Sequence, residues 1–268
     1  MTTTSSAPIG VFDSGLGGLS VLKAIRAALP NERLMYVADS AHAPYGERDA
    51  SFVIDRTLAV SDFLLQANAK CIVVACNTAT ALAIEALRQH CPAPIPIIAI
   101  EPAVKPAVAS SQNKIIGVLA TRATIASAAF TQLCERYRGD SQLILQACPG
   151  LVEQVEKGEL DSAATKALLL RYIQPLLDAG ADTLVLGCTH YPFLLQTIRS
   201  LVGEGTQIIE PSAAVARELV NRLQRHDLLA KSDHDKQACE QFFTNTNLLK
   251  AQPLITALWG KSVQVNSV

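Results

Sequence analysis

The sequence contains no run approaching ~18 consecutive apolar residues, so it predicts no membrane-spanning helix. Aromatic residues make up only 5 % and charge of neither sign dominates: 23 Lys+Arg face 24 Asp+Glu, for a net charge of −1. With no basic run and few rings to stack on bases, a nucleic-acid partner is not expected. The 14 Gly and 13 Pro are too few for a collagenous or low-complexity chain. Residues 1–8 lack the basic and apolar stretches of a signal peptide, which predicts a frayed N-terminus on a cytoplasmic protein. Seven cysteines, an odd number without paired C-x-x-C spacing, read as reduced thiols rather than a disulfide framework or a zinc ribbon. What the chain does have is 268 residues that are 49 % apolar, enough to bury roughly three quarters of the unfolded surface without staples.

Short Val- and Ile-rich runs at 9–12, 34–37, 72–75, 97–100, 115–119, 143–145, 183–186 and 208–209 alternate with stretches of helical period at 19–29, 50–67, 79–89, 125–137, 161–179 and 213–229. That alternation predicts an α/β fold of parallel strands covered by helices on both faces. An internal repeat refines it. GVFDS at 10–14 matches GVLAT at 117–121, AKCIVVACNT at 69–78 matches ADTLVLGCTH at 181–190, and IEP at 100–102 matches IEP at 209–211. Three segments in order, at one offset of about 110 residues, predict two similar Rossmann-like α/β domains with mainly parallel sheets, related by pseudo-twofold symmetry. The expected division is 1–101 with 213–268, and 102–212, the unmatched tail returning to the first half.

The repeat singles out two thiols. Cys76 and Cys188 each follow a buried strand and precede a helix, at the carboxyl ends of parallel strands where open α/β sheets place their sites. A helix start favours the thiolate. Placed on opposite sides of one pocket, the two sulfurs can take a proton from one face of a tetrahedral carbon and deliver one to the other. The competing reading, a small residue packed after a strand, suits Cys71, Cys91, Cys134, Cys148 and Cys239 better than this matched pair.

Polar groups cluster nearby in sequence. Asp13 ends the first strand, followed by Ser14 and a glycine-rich turn; it reads as a carboxylate beside a catalytic thiol or as a helix N-cap. The turn breaks the G-x-G-x-x-G spacing at Ser20, although Asp39 would suit a ribose, so a nucleotide-binding module stays open as an alternative. Residues 38–46 form a turn-rich loop in which the Tyr45 hydroxyl and Gly46 backbone can meet a substrate. His190, two residues after Cys188, reads as the base that polarises that thiol, as a capping histidine, or as half a metal site.

Taken in order, the segments DSGLGG at 13–18, PYG at 44–46, ACNTA at 75–79 and GCTHYP at 187–192 resemble the bacterial glutamate racemases of the cofactor-independent aspartate/glutamate racemase superfamily. The likeness runs over residues 9–220. It implies two α/β domains facing a buried pocket, interconversion of L- and D-glutamate without a cofactor or metal, D-glutamate supply for peptidoglycan, and a homodimer. Carried over by motif, Cys76 would take the α-proton of D-glutamate and Cys188 that of L-glutamate, Asp13 and His190 assisting the respective thiols. Ser14, Tyr45, Gly46, Asn77, Thr78 and Thr189 would hold the substrate, with Thr121 added as the repeat mate of Ser14. Spacing assigns the family's further acidic residue to Glu156; Glu153 stands where relatives have proline, and a solvated helix-face carboxylate is the alternative. A racemase of aspartate or another small acid is the nearest competitor.

Overall fold

The computed structural model describes residues 4–230 and 239–268. Its strands are β1 (Ile9–Asp13), β2 (Leu34–Ala38), β3 (Cys71–Val74), β4 (Ile97–Ala99), β5 (Ile115–Ala120), β6 (Gln142–Ala147), β7 (Thr183–Leu186), β8 (Gln207–Ile209), β9 (Glu240–Thr244) and β10 (Val265–Ser267). They form two sheets, ordered β10-β9-β2-β1-β3-β4 and β6-β5-β7-β8, and every pairing is parallel. The four strands of the second sheet repeat the order β2-β1-β3-β4 of the first, and the repeat extends to register: Gly10 lies opposite Ile72, and Gly117 opposite Leu184.

The IEP match does not keep that register. Ile209 stands opposite Val185, the place that Ile98, not Ile100, takes opposite Val73. Glu101 and Glu210 are therefore not equivalent; Glu210 instead accepts the Ser212 N–H at 2.8 Å.

Alternation along each strand sends residues to two faces. On β3, Ile72 and Val74 join a cluster with Phe12, Val37 and Leu64, whereas Cys71 and Val73 join a core that also takes Leu184 and Leu186 of β7. One core therefore runs continuously between the two sheets. A third cluster, with Ile116, Val118 and Phe130, covers the far face of the second sheet.

The helices are α1 (Leu19–Ala28), α2 (Ala50–Gln66), α3 (Asn77–His90), α4 (Val104–Ser110), α5 (Arg122–Ala126), α6 (Ala128–Tyr137), α7 (Leu151–Glu156), α8 (Ala163–Asp178), α9 (Leu195–Val202), α10 (Ser212–Arg225) and α11 (Leu248–Trp259). The single helix expected over 125–137 is two, because the Ser127 hydroxyl accepts the Phe130 N–H at 3.1 Å and starts a new helix there. Among the described residues no helix is long and apolar enough to cross a membrane. The tail packs α10 on α1 and adds β9 and β10 beside β2.

The expected fraying of residues 1–8 is corrected where the chain is described. Buried Lys70 donates to the Ser5 carbonyl at 2.7 Å, to the Leu228 carbonyl at 2.8 Å and to Glu32 Oε2 at 2.5 Å, fixing residues 4–8 to the body. Residues 1–3 lie outside the described residues.

Candidate active site

β1, β3, β5 and β7 all point their carboxyl ends at the seam between the sheets, which sets the address of every site residue. Cys76 caps the start of α3, its sulfur accepting the Ala79 N–H at 3.4 Å. Cys188 follows β7. Both are buried, and both line one small cleft together with Ser14, Tyr45, Gly46, Asn77, Thr78, Thr121, Val152, Thr189 and His190.

Each thiol has its own polar partners. The Cys76 thiol donates to Ser14 Oγ at 3.5 Å, and Ser14 donates to Asp13 Oδ1 at 3.5 Å, so Ser14 stands between the thiol and the carboxylate rather than Asp13 touching the sulfur. Burial pushes the Cys76 thiol up to about 12, and the Asp13 charge adds to the rise. Asp13 is itself wholly buried. Desolvation lifts its carboxyl above the usual range, opposed by His190 and by hydrogen bonds from the Gly15 N–H at 2.9 Å and the Thr189 hydroxyl at 2.9 Å.

On the other side, His190 Nδ1 lies 3.7 Å from Cys188 Sγ and Nε2 lies 2.6 Å from Glu156 Oε1. Burial works against a charged ring, but Cys188 and Glu156 outweigh it and hold the imidazole well above its ordinary value. Glu156 Oε1 also accepts the Leu16 N–H at 2.6 Å. Of the two acidic residues on α7, Glu156 reaches the histidine; Glu153 lines a neighbouring hollow with Cys148 and Pro149.

The glycine-rich turn does a different job from cradling phosphate. A Cβ on Gly15 would lie 2.1 Å from Glu156 Oε1, and one on Gly17 would lie 2.4 Å from His190 Nδ1. Absent side chains let the second half's acid and histidine seat directly on the first half's backbone. Gly46 makes the same kind of close approach to Thr121, where a Cβ would lie 2.6 Å from the threonine Cβ.

Three hydroxyls join the halves: Thr78 Oγ1 is 2.9 Å from Thr121 Oγ1, which donates to Thr124 Oγ1 at 2.9 Å. Thr124, not singled out by the sequence, is fully buried behind the two cleft threonines. Asn77 is 3 % exposed, yet neither atom of its side-chain amide finds a protein partner. Each unmade bond at a buried polar group costs about 1–3 kcal/mol, so Asn77 is poised for a polar ligand.

Asp39 is not free for a ribose: it is buried and accepts Arg56 Nε and Nη2 at 3.0 and 2.9 Å, His42 Nδ1 at 2.9 Å, the Tyr45 hydroxyl and the Asn245 amide. Burial disfavours its ionised form, but bonds from Arg56, Tyr45 and His42 hold the carboxyl below the usual range. The Tyr45 proton is thereby committed to Asp39, and the cleft meets the ring and the Tyr45–Gly46 backbone instead.

Size alone does not pick this site out. Hollows of about 360 and 380 Å³ open elsewhere, whereas the thiol cleft holds about 10 Å³, near the space of one water. The chemistry selects it.

Over its whole length the chain is similar to known proteins. A glutamate racemase from Ectopseudomonas mendocina is 47 % identical over 262 residues, covering 98 % of each chain. In solved structures, a glutamate racemase isoform from Bacillus anthracis superposes with a TM-score of 0.88 at 33 % identity, and the glutamate racemase from Francisella tularensis in complex with D-glutamate with 0.85 at 28 %, each covering 98 % of both chains. Residues 9–219, which carry both thiols and all their partners, match the Asp/Glu/Hydantoin racemase family, and the chain belongs to it.

Proposed function

We propose that the protein is a glutamate racemase that inverts the α-carbon by exchanging protons with two opposed thiols, and that its D-glutamate serves peptidoglycan synthesis. The observation that carries this reading is the pairing on one enclosed cleft of Cys76 and Cys188, each backed by a different acid–base group. With L-glutamate, Cys188 as thiolate takes the α-hydrogen as a proton, and the Cys76 S–H protonates the opposite face. With D-glutamate the roles reverse. His190 takes or returns the Cys188 proton, and Asp13, through Ser14, does so for Cys76.

The resting protonation suits this division. A Cys76 thiol at about 12 is a proton donor at neutral pH, and ionising it there is costly. The turnover starting from D-glutamate must therefore ionise a thiol that burial and the Asp13 charge keep protonated, a cost that a substrate ammonium beside Cys76 would offset. The unpaired Asn77 amide and the Gly46 backbone N–H supply neutral donors for the carboxylates, and the Ser14, Thr78 and Thr121 hydroxyls, which donate within the protein, add donors where they turn toward the substrate. Neutral donors on both sides hold either enantiomer without fixing one orientation. The cleft is narrow, with room for about one water, so a substrate seated between the thiols leaves little space for solvent beside the carbanionic species.

Glutamate is favoured over aspartate by the relatives' substrate, as in the D-glutamate complex. The nucleotide-binding reading loses its support once Asp39 is saturated and the glycine turn is occupied by Glu156 and His190. The test is to incubate L-glutamate, D-glutamate and aspartate separately with purified protein and no added cofactor, following circular dichroism. Both glutamate signals should decay to zero; a static glutamate signal, or decay of aspartate alone, contradicts the proposal.

A further inference from the structure

We propose that Asn245, from the tail, is a positioning residue that sets the substrate-facing turn at Tyr45 and Gly46. The inference rests on the racemase reading and concerns how that site is held. β9 pairs with β2 so that Thr244 stands opposite Ala38, and the next residue on each strand, Asn245 and Asp39, emerges side by side at the carboxyl end of the sheet. The Asn245 amide donates to Asp39 Oδ1, and its carbonyl oxygen accepts the Ala41 N–H at 2.9 Å. One side chain thus grips both the carboxylate and the backbone of the loop that leads to Tyr45.

Asp39 passes the constraint on. It takes the Tyr45 hydroxyl, and Tyr45 and Gly46 line the cleft, where Gly46 sits against Thr121 with no room for a Cβ. A shift of the loop therefore moves the cleft wall. Arg56 and His42 also hold Asp39, but Arg56 comes from α2 and His42 from the loop itself; among the described residues Asn245 is the one that ties it to the tail. The second half has no counterpart, since β6, the equivalent of β2, is an edge strand.

The test compares Asn245→Ala and Asn245→Asp with wild type in steady-state racemisation of both glutamate enantiomers, with melting temperatures measured in parallel. A hydrogen bond to a charged acceptor is worth about tenfold or more in an equilibrium constant. Asn245→Ala should raise KM about tenfold for both enantiomers while kcat stays within about twofold, the pattern of lost uniform binding. Asn245→Asp keeps the shape but sets a second carboxylate against Asp39, and should raise KM further still. It also carries the test should the alanine variant not fold. An unchanged KM, an aspartate variant that matches wild type, or a fall in kcat and melting temperature at constant KM would each overturn the inference. Wild-type protein that does not racemise glutamate would overturn the racemase reading and this inference with it, whereas a racemising wild type with unmoved KM in the variants overturns only the inference.

Discussion

Cys76 and Cys188 occupy matching backbone addresses, three residues beyond Val73 and Val185 on strands that pair with β1 and β5 in matching register. Their surroundings differ. Cys76 is buried beside the Asp13 carboxyl, and both raise its thiol, while its contact with the Ser14 hydroxyl works the other way; Cys188 faces an imidazole that Cys188 itself and Glu156 hold above its ordinary value. The repeat fixes where the two sulfurs sit, and the non-repeated residues give each its own polar partners. Symmetry of the frame suits a substrate pair related by reflection, and under the proposed mechanism the unlike partners are what tell the two thiols apart.

The halves are also interleaved. Asp13 of the first accepts from Thr189 of the second, and Glu156 of the second accepts from Leu16 of the first. Neither thiol's acid–base group is complete within its own half.

The comparison breaks most severely on removal of either sulfur. Cys76→Ala and Cys188→Ala should each lower racemisation about 10³-fold or more with unchanged far-UV circular dichroism; near-full activity in either variant removes the paired-base account. Next in size are the partners. His190→Asn should lower kcat about 10²-fold. Because racemisation has an equilibrium constant of one, kcat/KM must fall equally in both directions, so the asymmetry appears in isotope effects. The α-deuterium effect should grow when L-glutamate is the substrate and not when D-glutamate is; Asp13→Asn should do the reverse.

Smaller is the effect of filling the turn. Gly17→Ala forces a methyl onto His190 and should cost about 1–3 kcal/mol in urea unfolding along with activity. Gly203→Ala serves as the control: its Cβ would meet nothing, so only the strain of its positive φ is felt.

The smallest effect is on stability against pH. His190 has a folded value above its unfolded one, so its stabilising contribution is complete below about 6.5 and declines as pH rises from there through the folded value. The stability advantage of wild type over His190→Asn in urea titrations should shrink from pH 6 to pH 9. An advantage that grows over that range contradicts the His190 environment described above.

The thiols and their followers were legible because the Val- and Ile-rich strands that carry them are buried and repeat. The Asp39 ring of donors was not, since Asn245 lies 206 residues away in a tail without a repeat mate. Nor was the seating of Glu156 and His190 on the glycine turn, which depends on how the two sheets meet. β9 and β10 escaped notice because a strand such as Glu240–Thr244 mixes polar and aromatic residues, and β10 is a three-residue edge. α4 and α11 were hidden by their prolines: Pro106 stands in the first turn of α4, where it is tolerated, and Pro253 lies in the interior of α11. The slipped IEP match shows the limit of reading a repeat by identity: the letters recur, but the sheet register does not follow them.

The central claim is tested most directly by deuterium distribution at the start of the reaction. L-glutamate and D-glutamate, each in deuterium oxide, are quenched at a few per cent conversion, and substrate and product are separated and analysed by mass. Two opposed thiols predict product carrying one solvent deuterium at the α-carbon and recovered substrate carrying none, from either enantiomer. Product that retains the substrate's own hydrogen would mean a single group serving both faces, and would contradict the account.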